Sequence, residues 1–214
     1  MKTKYHSYKG LAAACAVAFA LTGCSMLEME KAPTLEPGSR AAELYPRAVA
    51  GDAKAQFEFA VCYSNGNSGA GPKNDSEALK WYLKSAKQGY SQAQALLATF
   101  YEAGIGGVER NKKEEIRWRL AAAQNGSYEA QFYIADYYEK GYGDFPTNMY
   151  EAFRWYHKAA QQGHGGAMFR LAKCYQYGKG CTSSREDAIY WYRKALNTFK
   201  YKDARKALKE LGAL

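Results

Sequence analysis

EAFRWYHKAAQQG, from Glu151 to Gly163, decides the fold because the chain writes it more than once. Seventy-four residues earlier, EALKWYLKSAKQG runs from Glu77 to Gly89 and shares Glu, Ala, Trp, Tyr, Lys, Ala, Gln and Gly at equivalent places. Self-similarity at a fixed period is the mark of a repeat architecture. Ala55, Ala93, Ala130 and Ala167 open successive units at spacings of 38, 37 and 37. Tyr63, Tyr101, Tyr138 and Tyr175 give 38, 37 and 37 again. Trp81, Trp118, Trp155 and Trp191, the chain's 4 tryptophans, give 37, 37 and 36.

Each unit reads as two helices. In the first, Ala55, Phe59, Cys62 and Tyr63 share one helical face. In the second, Ala78, Trp81, Tyr82, Ser85 and Ala86 share a face, and Lys80, Lys84 and Lys87 lie mostly outside it. Glycine closes the second helix at Gly89, Gly126 and Gly163, and glycine-rich stretches join the halves. Asp75 is the expected N-cap of the first of these second helices.

This pattern resembles the Sel1-like repeat, a longer relative of the tetratricopeptide repeat. Tyr101-Glu-Ala-Gly104-Ile-Gly106-Gly107-Val108 and Trp155-Tyr156-His157-Lys158-Ala159-Ala160-Gln161-Gln162-Gly163 carry the family's two phrases. The resemblance implies an all-α fold: a right-handed α/α solenoid of about four helix pairs over residues 41–214, with repeats near 53–91, 92–129, 130–166 and 167–203. Half-repeat caps are expected at 41–52 and 204–214, because one face of a terminal unit meets water. There are departures. Ala60, Ala98, Ala135 and Ala172 stand where the family usually has Gly, Arg119 replaces the expected Tyr, and the fourth unit lacks its closing Gly.

The N-terminus reads as an envelope address. Lys2, Lys4 and Lys9 precede an apolar run from Leu11 to Gly23, too short to span a bilayer. Leu21-Thr22-Gly23-Cys24 resembles the lipobox of bacterial lipoproteins, which implies a signal peptide over 1–23 and a lipidated Cys24. The other reading is an ordinary signal with Cys24 incidental. Ser25 after the Cys implies sorting to the outer membrane, facing the periplasm or the exterior. Cleavage before Cys24 leaves 191 residues and lowers the formal charge from +9 to +6. Residues 25–40, with two prolines and no periodicity, read with Cys24 as a lipidated tether reaching at most about 50 Å. The basic excess suits an anionic partner or a plainly solvated surface; nucleic acid is not expected outside the cytoplasm.

Catalysis finds little support. His157 and His164 are the only histidines beyond the signal, and His157 stands at a position that varies between repeats. No cluster has metal-ligand spacing, and neither a phosphate loop nor a nucleophile elbow is present. No cofactor is expected. Some cysteine-rich members of the family bind penicillin, but the Ser-x-x-Lys arrangement is missing here. Cys62 and Cys174 hold one repeat position three units apart, too far for a bond. Cys174 and Cys181, in CYQYGKGC, are a candidate disulfide; the alternative is two free thiols, with Cys62 a core residue.

The tetratricopeptide relative binds along first helices, at positions six and two before the repeat Tyr and one after it. Carried over, these are Phe57, Val61 and Ser64; Ala95, Thr99 and Glu102; Phe132, Asp136 and Glu139; and Phe169, Lys173 and Gln176. Phe57 lies about 160° around the helix from Phe59, away from its core face. Phe57, Phe132 and Phe169 either anchor a partner or pack between neighbouring first helices. The Trp-Tyr phrase reads as core. The expected function is a monomeric, membrane-anchored adaptor that takes a peptide or helix of another protein. The alternatives are binding of envelope material, such as peptidoglycan or an anionic glycolipid, and weak hydrolysis of β-lactams.

Overall fold

The computed structural model describes residues 32–66, 68–199 and 202–214. The expected signal at 1–23 and the lipidated Cys24 lie outside the described residues. Among those described, there are ten helices and no strand. The all-α expectation holds. The described residues divide into two compact units, parted between Ser85 and Ala86.

The first unit holds α1 (Arg40–Val49), α2 (Ala53–Asn65) and most of α3 (Asp75–Lys87). Arg40, the expected end of the tether, lies in α1. The Glu36 amide donates to Gly69 O at 3.0 Å, the Ala41 amide donates to Ser68 O at 3.0 Å, and Arg40 already opens α1. Ser39 caps α1 and Asp52 caps α2. The Ala55 amide and the Arg47 guanidinium on Asp52 hold its carboxyl below the usual range. The core is aromatic. Phe59 meets Trp81 edge-on at 5.0 Å and Tyr63 at 5.2 Å, and Tyr45 of α1 covers Phe59 at 5.4 Å. Edge-to-face contacts at such distances suit the ring quadrupoles.

The second unit holds α4 (Ser91–Ala103), α5 (Lys112–Gln124), α6 (Tyr128–Lys140), α7 (Met149–Gln161), α8 (Gly165–Tyr177), α9 (Arg185–Phe199) and α10 (Lys202–Glu210). Pairs α4/α5, α6/α7 and α8/α9 pack within a repeat, and α10 covers α9. Ala98, Ala135 and Ala172, the alanines at the family's glycine position, are fully buried. A methyl therefore fits between the packed helices.

The loops repeat as faithfully as the helices. Asn74, Asn111, Asn148 and Ser184 each accept the amide of the acid three residues on, Glu77, Glu114, Glu151 and Asp187. These are Asx or Ser caps with an acid at the third helical position, where it also faces the positive end of the helix dipole. Asn74, not Asp75, is thus the cap of α3. Each cap's own amide donates to the carbonyl of the repeat tyrosine: Tyr63, Tyr101, Tyr138 and Tyr175, at 2.8–3.0 Å. One bond ends the loop and ties it to the first helix.

The Trp-Tyr phrase is packing, and its tyrosines are the deeper of the two. Tyr82, Tyr156 and Tyr192 are 2%, 0% and 1% exposed. Trp118 and Trp191 are buried, whereas Trp81 and Trp155 are half-buried under the Lys84 and Lys158 ammonium groups, at 4.3 and 4.2 Å. The lysine stems shield ring surface that water would otherwise reach.

A candidate interaction face on the first helices

In the first, third and fourth repeats a second-helix tyrosine reaches across to the first helix. Ser64 Oγ lies 3.2 Å from Tyr82 Oη in the first unit. In the second unit, Tyr156 donates to Glu139 at 2.6 Å and Tyr192 to Gln176 at 2.6 Å. Burial first, and then the neighbouring Glu139, hold the Tyr156 hydroxyl far above its usual range, so it stays a donor. Ser64, Glu139 and Gln176, read as partner-facing positions, are therefore anchored from beneath while remaining half-exposed.

The phenylalanines sit on the same tyrosines. Phe57 lies 5.7 Å from Tyr82, Phe132 lies 5.7 Å from Tyr156, and Phe169 lies 5.6 Å from Tyr192. All three are half-buried. Each packs onto the second helix of its own repeat. Phe132 also stacks on His164 at 4.4 Å. Lys173 holds its ammonium 5.9 Å from the Phe169 ring.

The remaining positions differ in chemistry while keeping one place in the frame. Val61, Asp136 and Lys173 are half-buried and Thr99 is exposed. Asp136 pairs with Lys140 at 2.6 Å, and Glu139 lies 3.6 Å from Arg170.

The second repeat breaks the pattern. Arg119 stands in the tyrosine place and Glu115 in the place of Ala78, Ala152 and Ala188. Both are buried, at 5% and 2% exposure. Arg119 Nε donates to Glu115 at 3.0 Å and Nη2 donates to Glu102 at 2.8 Å. Tyr142 donates to Glu115 at 3.3 Å, and Tyr137 makes a short hydrogen bond to the same carboxylate. Burial opposes the guanidinium charge, but Tyr137, Glu115 and Glu102 outweigh it and raise the Arg119 pKa. The exposed Tyr133 ring lies 4.3 Å from the guanidinium carbon. Ala95 in the Phe position leaves this stretch without the ring found in the other repeats.

His157 is not a free surface variable: its ring lies 6.1 Å from Trp191 of the next repeat. Cys62, Cys174 and Cys181 are free thiols here, the first two buried. Burial raises the pKa of each, that of Cys174 to about 12. Among the described residues, no group of three His, Cys, Asp or Glu is placed to hold a metal ion, and no helix is long and apolar enough to cross a membrane.

The Sel1 repeat family model matches residues 53–90, 91–127, 129–164 and 166–197. A Sel1 repeat protein from Oxalobacter formigenes is 30% identical with a TM-score of 0.74, over 80% of this chain and 48% of that one. The protein c5321, a protective antigen of uropathogenic Escherichia coli strains displaying an SLR fold, is 29% identical with a TM-score of 0.65, over 75% of this chain and 33% of that one. The chain thus spans about half or less of these two proteins. No curated protein sequence matches. Four matched repeats, built on the helix pairs and caps described above, establish that the chain belongs to the Sel1 repeat family.

Proposed function

We propose that the chain is a scaffold that binds another protein along its first helices and is held to the cell envelope by lipid on Cys24. Sel1 repeat proteins generally mediate protein–protein interaction. The observation that carries the reading for this chain is chemical variety on a constant frame. Val61, Thr99, Asp136 and Lys173 occupy equivalent places, none is buried, and each is apolar, hydroxylic, acidic or basic in turn. Invariant positions build the core, so the varied positions are where recognition is written. The half-exposed Phe132 and Phe169 supply apolar anchor area beside them. Binding of a peptide or helix, with no chemical turnover and no cofactor, is the activity this face suits.

Photo-crosslinking in cells tests it. A crosslinking residue at Asp136 or Lys173 is expected to trap one protein that the same residue at Lys113 or Arg154, on the second helices, does not. Trapping only from the second-helix positions would overturn the reading. For the anchor, Cys24→Ala is expected to move the protein from the membrane to the soluble fraction.

A second reading has one observation behind it. Beside α9, an open groove of about 660 Å³ is lined by Arg185, Arg193, Lys194 and Tyr190, with Glu186 the acid among its lining residues. It suits an anionic glycolipid headgroup. Loss of the bound partner at moderate salt would favour this reading, because screening weakens exposed charge pairs.

A further inference from the structure

We infer that Cys174 and Cys181 form a disulfide that staples the loop of the fourth repeat over the end of α8. The inference starts from a contact that recurs in other repeats. The residue just before the repeat tyrosine is covered by a residue of the following loop. Cys62 hydrogen-bonds the Ser68 side chain in the first repeat. Tyr137 stacks on Tyr142 at 4.4 Å and 21° in the third. The fourth repeat has Cys174 in this place, and Cys181 packs against the core cluster that contains it. The frame brings a loop side chain to the helix, and here both partners are thiols.

Cys181 is held from both sides. The Lys179 amide donates to Cys174 O at 2.9 Å, and the Ser184 amide donates to Tyr175 O at 3.0 Å. Between them, Gly180 has φ +75°, and a Cβ there would lie 2.0 Å from Met149 O. Only glycine lets the loop lie this close to α7. The loop is thus fixed at residues 179, 180 and 184, and Cys181 does not have to be brought in from solvent.

The chemistry needs a disulfide-bearing oxidant. Cys181, half-buried, is the more accessible thiol. Its thiolate attacks one sulfur of the oxidant, forming a mixed disulfide and releasing one thiolate, which takes up a proton. Cys174 then gives up its proton and attacks the Cys181 sulfur, expelling the second oxidant thiolate. Two protein thiols become one disulfide, and the oxidant is reduced to two thiols. Thiol–disulfide exchange is slow where the attacking thiol is mostly protonated. Burial raises both thiols, which slows both steps of the exchange.

Oxidised glutathione on the purified protein is the test, followed by alkylation under denaturing conditions and peptide mapping. The expected result is one crosslinked peptide joining Cys174 to Cys181, an alkylated Cys62 and a melting temperature a few degrees higher. Cys181→Ser should remove the crosslink and the shift while keeping the helical circular dichroism. Cys174→Ser is the second variant, expected to stop at a glutathione adduct on Cys181. The inference is overturned if the wild-type protein stops at that same adduct, or if Cys62 enters a bridge. Neither outcome bears on whether the first helices bind a partner.

Discussion

Gln131 Nε2 donates to the carbonyl oxygen of Ala123 at 3.1 Å. Gln131 is 5% exposed and stands in the first turn of α6, whereas Ala123 lies in the last turn of α5. The last carbonyls of a helix lack the usual i+4 amide; Ala123 O takes the Gly126 turn amide at 3.2 Å, and Gln131 is its second donor. Gln56 serves Ala48 in the same way at 3.0 Å, and Gln94 serves Ala86 at 3.0 Å. Gln162 closes the group by donating to Gln131 Oε1 at 2.8 Å. Ahead of the first three repeats the joint is therefore a buried amide, placed one residue after the alanine that sets the repeat period; Met168 takes that place in the fourth.

Gln131→Leu should destabilise the protein by about 1 kcal/mol, because the Ala123 carbonyl loses one of its two donors and keeps the Gly126 amide at 3.2 Å. Gln131→Glu should cost at least as much, since a carboxylate would face that carbonyl. Urea unfolding monitored by circular dichroism reads both. Gln162→Leu, which removes only the more exposed bond, should cost about 1 kcal/mol or less.

The buried Glu115–Arg119 pair gives a sharper test. Glu115→Ala alone should cost about 3 kcal/mol, since it removes the buried partner of the guanidinium and of the Tyr137 hydroxyl, leaving Arg119 only the exposed Glu102. Glu115→Ala with Arg119→Tyr restores the Ala and Tyr used by the other repeats. Residue 119 would then reach Glu102 as Tyr156 reaches Glu139. This double variant should recover most of the loss, and adding Tyr137→Phe should remove the hydroxyl that Glu115 had satisfied. Phe100 already holds the place of Tyr137 one repeat earlier. A double variant no more stable than Glu115→Ala would mean that the second repeat depends on its charges for packing.

The period, the helix pairs and the capping helices were legible because they rest on alanine, tyrosine and tryptophan recurring at one spacing. The joints were not. Gln56, Gln94 and Gln131 follow the opening alanine in three of the four repeats, with Met168 in the fourth, but a polar residue beside an apolar one reads as the solvent side of a helix. Only the packed neighbour shows that this amide faces a buried carbonyl. Arg119 stood out as a departure, yet its compensation by Glu115 joins two departures four residues apart, and reading either alone hides the pair. For the face itself, the positions came from analogy and the variety from the sequence. The seating of Phe132 and Phe169 on Tyr156 and Tyr192 depends on how the two helices of a repeat face each other, which periodicity does not reveal.

His164 makes stability depend on pH. Its Nδ1 accepts the Ala167 amide at 3.0 Å, capping α8, and its ring stacks on Phe132. Burial lowers its pKa from the ordinary 6.5, against the opposing pull of Glu129. Tyr128, 5.9 Å away, is the other ring that faces it. A depressed folded-state pKa means that the unfolded chain binds the proton more readily. Stability is therefore complete above about pH 6.5 and falls as the pH drops below it, levelling off once the folded form also protonates. Protonation also removes the acceptor lone pair that caps the helix. His164→Ser keeps an acceptor that does not titrate in this range, as Ser127 does at the equivalent cap of α6. Relative to His164→Ser, the wild-type melting temperature should fall between pH 7 and 5.5.

Phe169→Ala separates anchoring from packing on the first-helix face. Phe169 is half-buried against Tyr192, so truncation removes part of a ring contact and part of its burial. A fully buried Phe→Ala change costs about 3–5 kcal/mol, and a half-buried one should cost about half of that. Tyr192, 1% exposed beneath it with Phe169 in place, holds its hydroxyl on Gln176, so the repeat has a reason to remain folded. Lys173→Ala removes the ammonium over the same ring and should cost less than about 1 kcal/mol. If this face binds a partner, the two substitutions should weaken binding by more than they lower stability, and Lys173→Ala should do so with an unchanged unfolding curve. Measured affinity for the crosslinked partner, set beside urea unfolding of each variant, makes the comparison. Equal loss of both for Phe169→Ala, with no effect of Lys173→Ala, would return these residues to the core.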